Sequence, residues 1–310
     1  MSYAFVFPGQ GSQSIGMLSD LAQQHPLVIE TFNEASEALN YDLWQVVQQG
    51  SEEHLNQTDI TQPVMLTAGI ATWRAMAAIQ PLAPSYMAGH SLGEYTALVA
   101  SGVMTLSQGV QLVAERGRLM QSVVPVGQGG MAAVLGLDDE QIVAICADVS
   151  QSTGVLEAVN FNSPGQVVIA GEKRAVDAAL PLFTEAGAKR VVPLAVSVPS
   201  HCSLMKPAAE RLAEILATMD FKSPQVPVIH NASVESYEDV NQIKQALVEQ
   251  LYRPVQWVKT IEKMKRNDVN RLYELGPGKV LMGLNRRIDR KMGMQAVYDS
   301  ATLNASLATL

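Results

Sequence analysis

The chain has 310 residues, of which 47% are hydrophobic and 17% charged, so it is long and apolar enough to bury a large core in one main domain carrying a smaller one. Its formal net charge of −8 argues against general nucleic-acid binding, because phosphate backbones attract basic surfaces. No apolar run approaches the length of a membrane span, and 2 cysteines and 5 dispersed histidines give neither a disulfide framework nor a metal-binding pattern.

The chain begins with an apolar segment followed by a glycine-rich turn. Residues 4–7 predict a buried strand, and the turn at residues 8–13 leads towards a helix near residues 17–22. This order is typical of an α/β protein. The first residues lack the basic n-region and the long apolar h-region of a signal peptide, so we expect a cytoplasmic location.

A small-x-Ser-x-small pentapeptide centred on Ser91 follows a predicted strand at residues 86–88 and precedes a predicted helix at residues 94–101. Such a context predicts a nucleophile elbow, in which the serine stands on a sharp strand-to-helix turn. Gly89 and Gly93 fit this turn, because side chains there would clash with a crowded backbone. The following helix directs backbone N–H groups and its positive dipole end towards a developing oxyanion. The pattern therefore predicts acyl transfer through a serine ester.

Helices and strands alternate on either side of this turn. Apolar residues at helical spacing predict helices at residues 28–39, 60–79, 106–123, 203–219 and 240–251. Further strands are predicted at residues 226–229 and 271–275. The alternation favours a mostly parallel sheet, so we predict an α/β-hydrolase-like core that carries the nucleophile elbow.

A segment in the middle of the chain has a different order of elements. Strands are predicted at residues 131–137, 155–161, 166–170 and 189–198, and helices at residues 138–150 and 172–187. This βαββαβ order is that of a ferredoxin-like unit. We therefore predict an inserted ferredoxin-like subdomain at residues 127–198 within an α/β-hydrolase-like core formed by residues 1–126 and 199–310.

A serine nucleophile requires a general base, and the histidines supply the candidates. His201 is favoured, because it lies where the inserted segment returns to the main body and can face the cleft between the two. His90 is expected to pack or to line the pocket, and His230 with Asn231 to support the site. Cys202 leaves a thiol nucleophile open, although adjacent side chains in extended chain point to opposite faces.

Arg116 lies in the predicted helix at residues 106–123, among apolar neighbours. A guanidinium that faces a pocket suits the bidentate binding of a free carboxylate. The alternative is an ion pair with Glu115 or with another surface acid.

Two small basic clusters contrast with the acidic background. They are Lys189 with Arg190, and Arg286 and Arg287 with Arg290 and Lys291. Solvated surface charge is one interpretation of such runs. The other is a docking patch, because an acidic protein needs local positive charge to meet an acidic partner.

Six segments in one order resemble the malonyl-CoA:acyl carrier protein transacylases of bacterial type II fatty acid synthesis. They are residues 7–13, 89–94, 115–117, 160–166, 198–201 and 276–278. The resemblance implies that Ser91 is the nucleophile, that His201 is its base and that Arg116 binds the malonyl carboxylate. It also implies an oxyanion hole formed by the backbone N–H groups of Gln10 and Leu92.

The same resemblance implies that the Gln250 carbonyl orients the histidine where a hydrolase uses aspartate, and we place Asn162 among the substrate-binding residues. The implied substrates are malonyl-CoA and the phosphopantetheine thiol of acyl carrier protein, linked by a ping-pong mechanism. No permanently bound cofactor or metal is expected. Acyl carrier protein is acidic in this family, which makes Lys189, Arg190, Arg286 and Arg287 docking candidates. We expect a monomer that binds neither nucleic acid nor membranes.

Two other functions stay open on the sequence alone. One is an α/β-hydrolase-type esterase or thioesterase, although such enzymes place the histidine near the chain end and here 109 residues follow His201. The other is a non-catalytic scaffold that binds acyl carrier protein. The presence of Ser91 and Arg116 beside a candidate base argues against the scaffold.

Overall fold

The computed structural model describes residues 2–196 and 198–310. Its strands are β1 (Ser2–Phe7), β2 (Tyr86–Gly89), β3 (Gly129–Leu135), β4 (Leu156–Ser163), β5 (Gln166–Glu172), β6 (Arg190–Pro193), β7 (Val228–Ile229), β8 (Val269–Leu275) and β9 (Gly293–Val297). Its helices are α1 (Ser19–Gln24), α2 (Leu27–Leu39), α3 (Leu43–Gln49), α4 (Glu52–Leu55), α5 (Thr58–Ala77), α6 (Leu92–Ala100), α7 (Leu106–Val123), α8 (Asp139–Ser152), α9 (Lys173–Glu185), α10 (Lys206–Thr218), α11 (Val240–Gln250), α12 (Trp257–Arg266), α13 (Val280–Ile288) and α14 (Ser300–Leu307). None of the described helices is both long and apolar enough to cross a membrane.

The main body is built on a five-stranded sheet in the order β7-β2-β1-β8-β9. Every neighbouring pair in this sheet is parallel. Parallel neighbours require crossover connections, and here helices supply them. The predicted α/β main body with a mostly parallel sheet is therefore confirmed.

Helix α5 forms the centre of the main body's helical layer. It packs against α7, α2 and α6, and nearly all of its residues from Thr61 to Met76 are buried. A helix that is apolar around its whole circumference belongs inside a core rather than on a surface. On the sheet side, Phe5 and Phe7 of β1 are fully buried in the same core. This layer fixes the position of α7, which carries Arg116.

The second sheet is antiparallel, with four strands in the order β4-β5-β3-β6. Helices α8 and α9 pack against it and against each other, over a separate core that includes Ile142, Val167 and Phe183. The elements follow one another as strand, helix, strand, strand, helix and strand, in the predicted order.

The antiparallel sheet is joined to the main body along β4. The Phe161 N–H donates to the Val255 carbonyl at 3.0 Å, and the Val255 N–H donates to the Val159 carbonyl at 2.8 Å. Met131 and Cys202 pack together in a small cluster at the same junction. These contacts join β4 to the segment before α12 and to the segment that carries Cys202.

Several predicted boundaries differ from the structure. The strand predicted at residues 189–198 is wrong in length: β6 ends at Pro193, after which the chain turns back towards the main body, and Ser197 lies outside the described residues. The strand predicted at residues 226–229 keeps only Val228 and Ile229, since Pro227 has no N–H for the ladder. The helix predicted from residue 203 begins with a 3-10 turn before α10.

Candidate active site

The carboxyl ends of parallel strands meet at one edge of the main sheet, and the candidate residues lie there. Strand β2 leads into Ser91, and β7 leads into Asn231. The loop after β1 touches the same turn, because a Cβ on Gly9 would lie 2.5 Å from the carbonyl oxygen of His90. The sheet order alone therefore brings together segments that are far apart in the chain.

The turn at Ser91 is strained and closely packed. Ser91 has φ 51° and ψ −111°, outside the regular helical and extended regions. A Cβ on Gly89 would overlap the backbone of Gly93, and one on Gly93 would overlap the carbonyl of Phe7. The Asn231 amide secures the turn, since its Oδ1 accepts from the Ser91 N–H at 2.7 Å and its Nδ2 donates to the Gly89 carbonyl at 2.7 Å. Glycine is therefore required on both sides of the serine.

His201 contacts the serine hydroxyl directly. Its Nε2 lies 2.7 Å from Ser91 Oγ, and its Nδ1 lies 2.7 Å from the carbonyl oxygen of Gln250. The carbonyl can only accept, so Nδ1 carries the proton and Nε2 is left as the acceptor for the serine hydroxyl. His201 itself has φ 66°, and its N–H donates to the Leu251 carbonyl at 3.0 Å. The end of helix α11 thus holds both the backbone and the ring of this histidine.

The environment keeps the His201 ring neutral. The side chain is buried, and burial together with the nearby Arg116 charge lowers the pKa of His201 to about 3. A neutral imidazole has a free lone pair at Nε2 for the serine proton. The pair of Ser91 and His201 is therefore arranged for nucleophilic attack assisted by a base.

Arg116 is a buried guanidinium whose Nη2 faces the hydroxyl of Ser91. Its side chain is only 1% exposed, and its Nη2 lies 3.4 Å from Ser91 Oγ. Nη1 donates to Gln62 Oε1 at 2.7 Å and Nη2 donates to Gln250 Oε1 at 3.0 Å. Nε has no partner among the described residues, and no carboxylate of those residues contacts the guanidinium. This arrangement can accept an anionic ligand beside the serine.

The ion pair considered as an alternative for Arg116 is not formed with Glu115. Glu115 points outwards and pairs with Arg118, one turn along the same helix. Its neighbour Arg116 instead stacks over the Tyr95 ring, 5.2 Å from the centroid.

His90 turns away from the serine hydroxyl. Its Nε2 lies 2.7 Å from Asn162 Oδ1, and its ring packs 5.6 Å from that of Trp257. Burial lowers the pKa of His90 below its ordinary value. Asn162 lies on β4, so this contact ties the antiparallel sheet to the elbow. A direct contact of Asn162 with substrate stays a prediction.

Gln10 and Leu92 both lie next to the turn. Gln10 is exposed in the loop after β1, and Leu92 is the buried first residue of α6. Within residues 2–196 and 198–310, neither backbone N–H donates to a protein acceptor. Free N–H groups at a helix start are suited to an oxyanion, although this role stays a prediction.

The thiol alternative conflicts with the surroundings of Cys202. The side chain is fully buried, and its Sγ contacts the Pro199 carbonyl at 3.1 Å. Burial raises the pKa of Cys202 to about 12, so the reactive thiolate is not formed near neutral pH.

The basic residues predicted for docking lie at one end of the antiparallel sheet. All four are exposed: Lys189, Arg190, Arg286 and Arg287. The Lys189 side chain lies over Gly136, whose N–H donates to the Gly165 carbonyl at 2.8 Å. Next to that turn, Arg287 Nη1 donates to Gln166 Oε1 at 2.7 Å. The Lys189–Arg190 cluster of the antiparallel sheet therefore lies near the Arg286–Arg287 cluster of α13 in the main body.

Two residues at the site were not singled out from the sequence. Gln62 accepts from Arg116, and its signal was an amide side chain within the mostly buried helix α5. Glu94 is fully buried in the first turn of α6, and its only signal was a carboxylate in a run of apolar residues.

The chain is similar to known proteins over almost its whole length. Residues 4–277 match the acyl transferase domain family. The chain is 53% identical over 305 residues to the malonyl CoA-acyl carrier protein transacylase of Salmonella typhimurium, covering 98% of each chain. It superimposes with a TM-score of 0.96 and 54% identity on an acyl carrier protein S-malonyltransferase from Vibrio cholerae, covering 99% of this chain and 100% of the other. It also superimposes, with a TM-score of 0.98 and 52% identity over the whole of both chains, on a malonyl-transacylase in complex with its type II PKS acyl-carrier protein.

Proposed function

Because the chain belongs to the malonyl-CoA–acyl carrier protein transacylase family, we infer that it is an acyltransferase that moves a malonyl group from malonyl-CoA to acyl carrier protein in fatty acid synthesis. The partner in that reaction is acyl carrier protein, as in the complex of the similar malonyl-transacylase. Such a transfer exchanges one thioester for another, so it needs a nucleophile, a base and a site for the malonyl carboxylate.

We propose that the first half-reaction acylates Ser91. Its Oγ–H donates to His201 Nε2 at 2.7 Å, so the ring takes the proton as Oγ attacks the thioester carbonyl. A C–O bond forms and the C–S bond breaks, and the proton on His201 leaves with the thiol of free CoA. The Nδ1–H stays bonded to the Gln250 carbonyl, which steadies the ring while it is charged. The N–H groups of Gln10 and Leu92 would stabilise the oxyanion.

The second half-reaction reverses these steps with a different thiol. The phosphopantetheine thiol of acyl carrier protein gives its proton to His201 and attacks the malonyl ester. A C–S bond forms, the C–O bond to Ser91 breaks, and His201 returns the proton to Ser91 Oγ. Arg116 holds the malonyl carboxylate in both halves through its Nε and Nη2 edge. Asn162, which contacts His90 of the elbow, would contribute to substrate binding. The kinetics are therefore ping-pong.

One observation carries this proposal: Nη2 of the buried Arg116 lies 3.4 Å from Ser91 Oγ, beside the neutral imidazole of His201. Intact-mass analysis after mixing with malonyl-CoA is expected to show a malonyl adduct on the wild-type chain and none on Ser91→Ala. Added thiol acceptor should discharge the adduct much faster than water does. An adduct lost to water at the same rate would indicate the esterase instead, and no adduct at all would indicate the scaffold.

We propose that the docking surface for acyl carrier protein includes the two basic clusters at the end of the antiparallel sheet. Their exposure and proximity support the attraction of an acidic partner. Lys189→Glu with Arg190→Glu is expected to raise the KM for acyl carrier protein at low salt and to leave the KM for malonyl-CoA unchanged. Transfer rates that do not depend on salt would contradict this surface.

We also propose that the two sheets mark two units. An α/β-hydrolase-like core would comprise residues 1–126 and 199–310, and a ferredoxin-like subdomain residues 127–198. The strand order β4-β5-β3-β6 and the separate core under α8 and α9 support the second unit. We further propose a cytoplasmic monomer that works without a permanently bound cofactor, metal, nucleic acid or membrane. Its two buried free cysteines, Cys146 and Cys202, agree with a reducing compartment.

A further inference from the structure

Glu94 is a buried carboxylate that the transfer steps above do not use. Its side chain is fully buried at the start of α6. Oε1 accepts from His230 Nδ1 at 2.7 Å, and Oε2 accepts from the Asn231 N–H at 2.9 Å and from Gln250 Nε2 at 2.8 Å. Two amide N–H groups and the His230 ring therefore converge on the two carboxyl oxygens, an arrangement that suits a hydrogen-bond acceptor. No Lys or Arg of the described residues pairs with it.

Arg116 presents the complementary situation. It is a buried cation, and within the described part of the chain its acceptors are neutral oxygens, those of Gln62, Gln250 and, at 3.4 Å, Ser91. A buried charge without an opposite charge nearby is strongly destabilising. The cation and the anion are joined through one amide, since Gln250 donates with Nε2 to Glu94 and accepts with Oε1 from Arg116.

The two charges dictate the orientation of the Gln250 amide. If the amide were turned over, its oxygen would face the Glu94 carboxylate and its NH₂ would face the Arg116 guanidinium, and both contacts would be repulsive. In the observed orientation Nε2 also donates to the Ser91 carbonyl at 2.9 Å, and the backbone carbonyl of the same residue accepts from His201. Gln250 therefore orients the base through its backbone carbonyl, while Glu94 holds its side-chain amide.

We propose that Glu94 is a positioning residue. In the free enzyme it serves as the counterion of Arg116, and the side-chain amide of Gln250 lies between the two charges. This role rests on the proposed function, in which Arg116 receives the malonyl carboxylate. A carboxylate in direct contact with Arg116 would occupy the edge that the substrate needs. Because Gln250 separates it from Arg116, Glu94 balances the buried charge and leaves that edge open. It also lowers the affinity of Arg116 for the malonyl carboxylate, which allows transfer of the malonyl group to the second thiol.

The test uses Glu94→Gln, which keeps the size of the side chain and removes its charge. In a Ser91→Ala background, malonyl-CoA is expected to bind about tenfold more tightly, equal to ~1.4 kcal/mol, because Arg116 then lacks its counterion. Acetyl-CoA, which has no carboxylate, should bind as before. With Ser91 present, kcat and KM for malonyl-CoA should fall together, because tighter binding of the ground state slows transfer.

Glu115→Gln is the matched control. It removes the same charge from the residue next to Arg116, but on the solvent side, and it should leave malonyl-CoA binding unchanged. A purely structural role for Glu94 predicts weaker binding of malonyl-CoA and acetyl-CoA alike. That result, or unchanged malonyl-CoA affinity, would overturn the proposal.

The exchange variant E94Q/Q250E covers the case in which the single variant does not fold. It keeps one anion in the cluster and moves it into contact with Arg116, so malonyl-CoA binding in the Ser91→Ala background should weaken about tenfold or more. Binding as tight as in the parent would contradict the counterion role. Failure of the proposed function is seen separately, as the absence of a malonyl adduct on the wild-type chain.

Discussion

Replacing Arg116 by alanine is expected to relax the choice of malonyl over acetyl. The guanidinium is 1% exposed and its Nε has no partner among the described residues, so an acetyl group leaves that donor unsatisfied while a malonyl carboxylate satisfies it. Each hydrogen bond to a charged group contributes ~1.5–3 kcal/mol, and desolvation of the incoming carboxylate offsets part of the gain from two such bonds. The net preference is therefore ~2–4 kcal/mol, or about 30-fold to 1,000-fold. Arg116→Ala should lose most of it.

The assay is a competition between malonyl-CoA and acetyl-CoA, with the two acyl-enzymes on Ser91 distinguished by intact mass. Arg118→Ala is the control, since this residue lies on the exposed side of the same helix and pairs with Glu115. The control should keep the parent's malonyl preference. Arg116→Lys retains the charge but not the planar fork, and should fall between the parent and the alanine variant. An unchanged ratio of adducts in Arg116→Ala would refute the assignment.

Two further predictions concern the base and the elbow. The proposed base, His201, accepts a proton only when its ring is neutral. Burial and the nearby Arg116 lower the pKa of His201 to about 3, so the acid limb of kcat/KM should lie well below pH 6.5; a limb at 6.5 or higher in a pH–rate profile would contradict this. Gly93→Ala should destabilise the fold by ~3 kcal/mol or more in urea denaturation, because its Cβ overlaps the Phe7 carbonyl. Gly283→Ala, whose Cβ meets open space in a helix, should instead stabilise by ~0.5–1 kcal/mol, and equal effects of the two variants would count against the crowded elbow.

Much of the fold was predictable because its long elements have strong periodic patterns. Helix α7 was predicted with its observed bounds, and α2 and α11 within one residue at an end. Helices α3, α4, α12, α13 and α14 and strand β9 were not predicted, and α12 and β9 show why. The first is short and rich in lysine, and the second is a half-exposed edge strand whose residues show no clear alternation. Both depend on packing against neighbours that local patterns do not describe.

The candidate site divides in the same way. Ser91 was predictable because its requirements are local: two glycines, a strand before and a helix after. The roles of Gln62 and Glu94 were not, because each depends on a partner that folding brings close, 54 residues away for Gln62 with Arg116 and 156 away for Glu94 with Gln250. Their side chains look like isolated polar residues in apolar helices.

The elbow turn at Ser91 and the order of the inserted βαββαβ elements can be read from the chain alone, since they depend on short-range backbone geometry and on residue type. The pairing of polar groups in the buried site depends instead on the folded arrangement: the His201 ring meets Ser91 at 2.7 Å, and a single glutamine amide separates a buried cation from a buried anion. Hydrogen bonds and charge pairs act over a few ångströms in space, whereas the order of residues along the chain constrains only near neighbours.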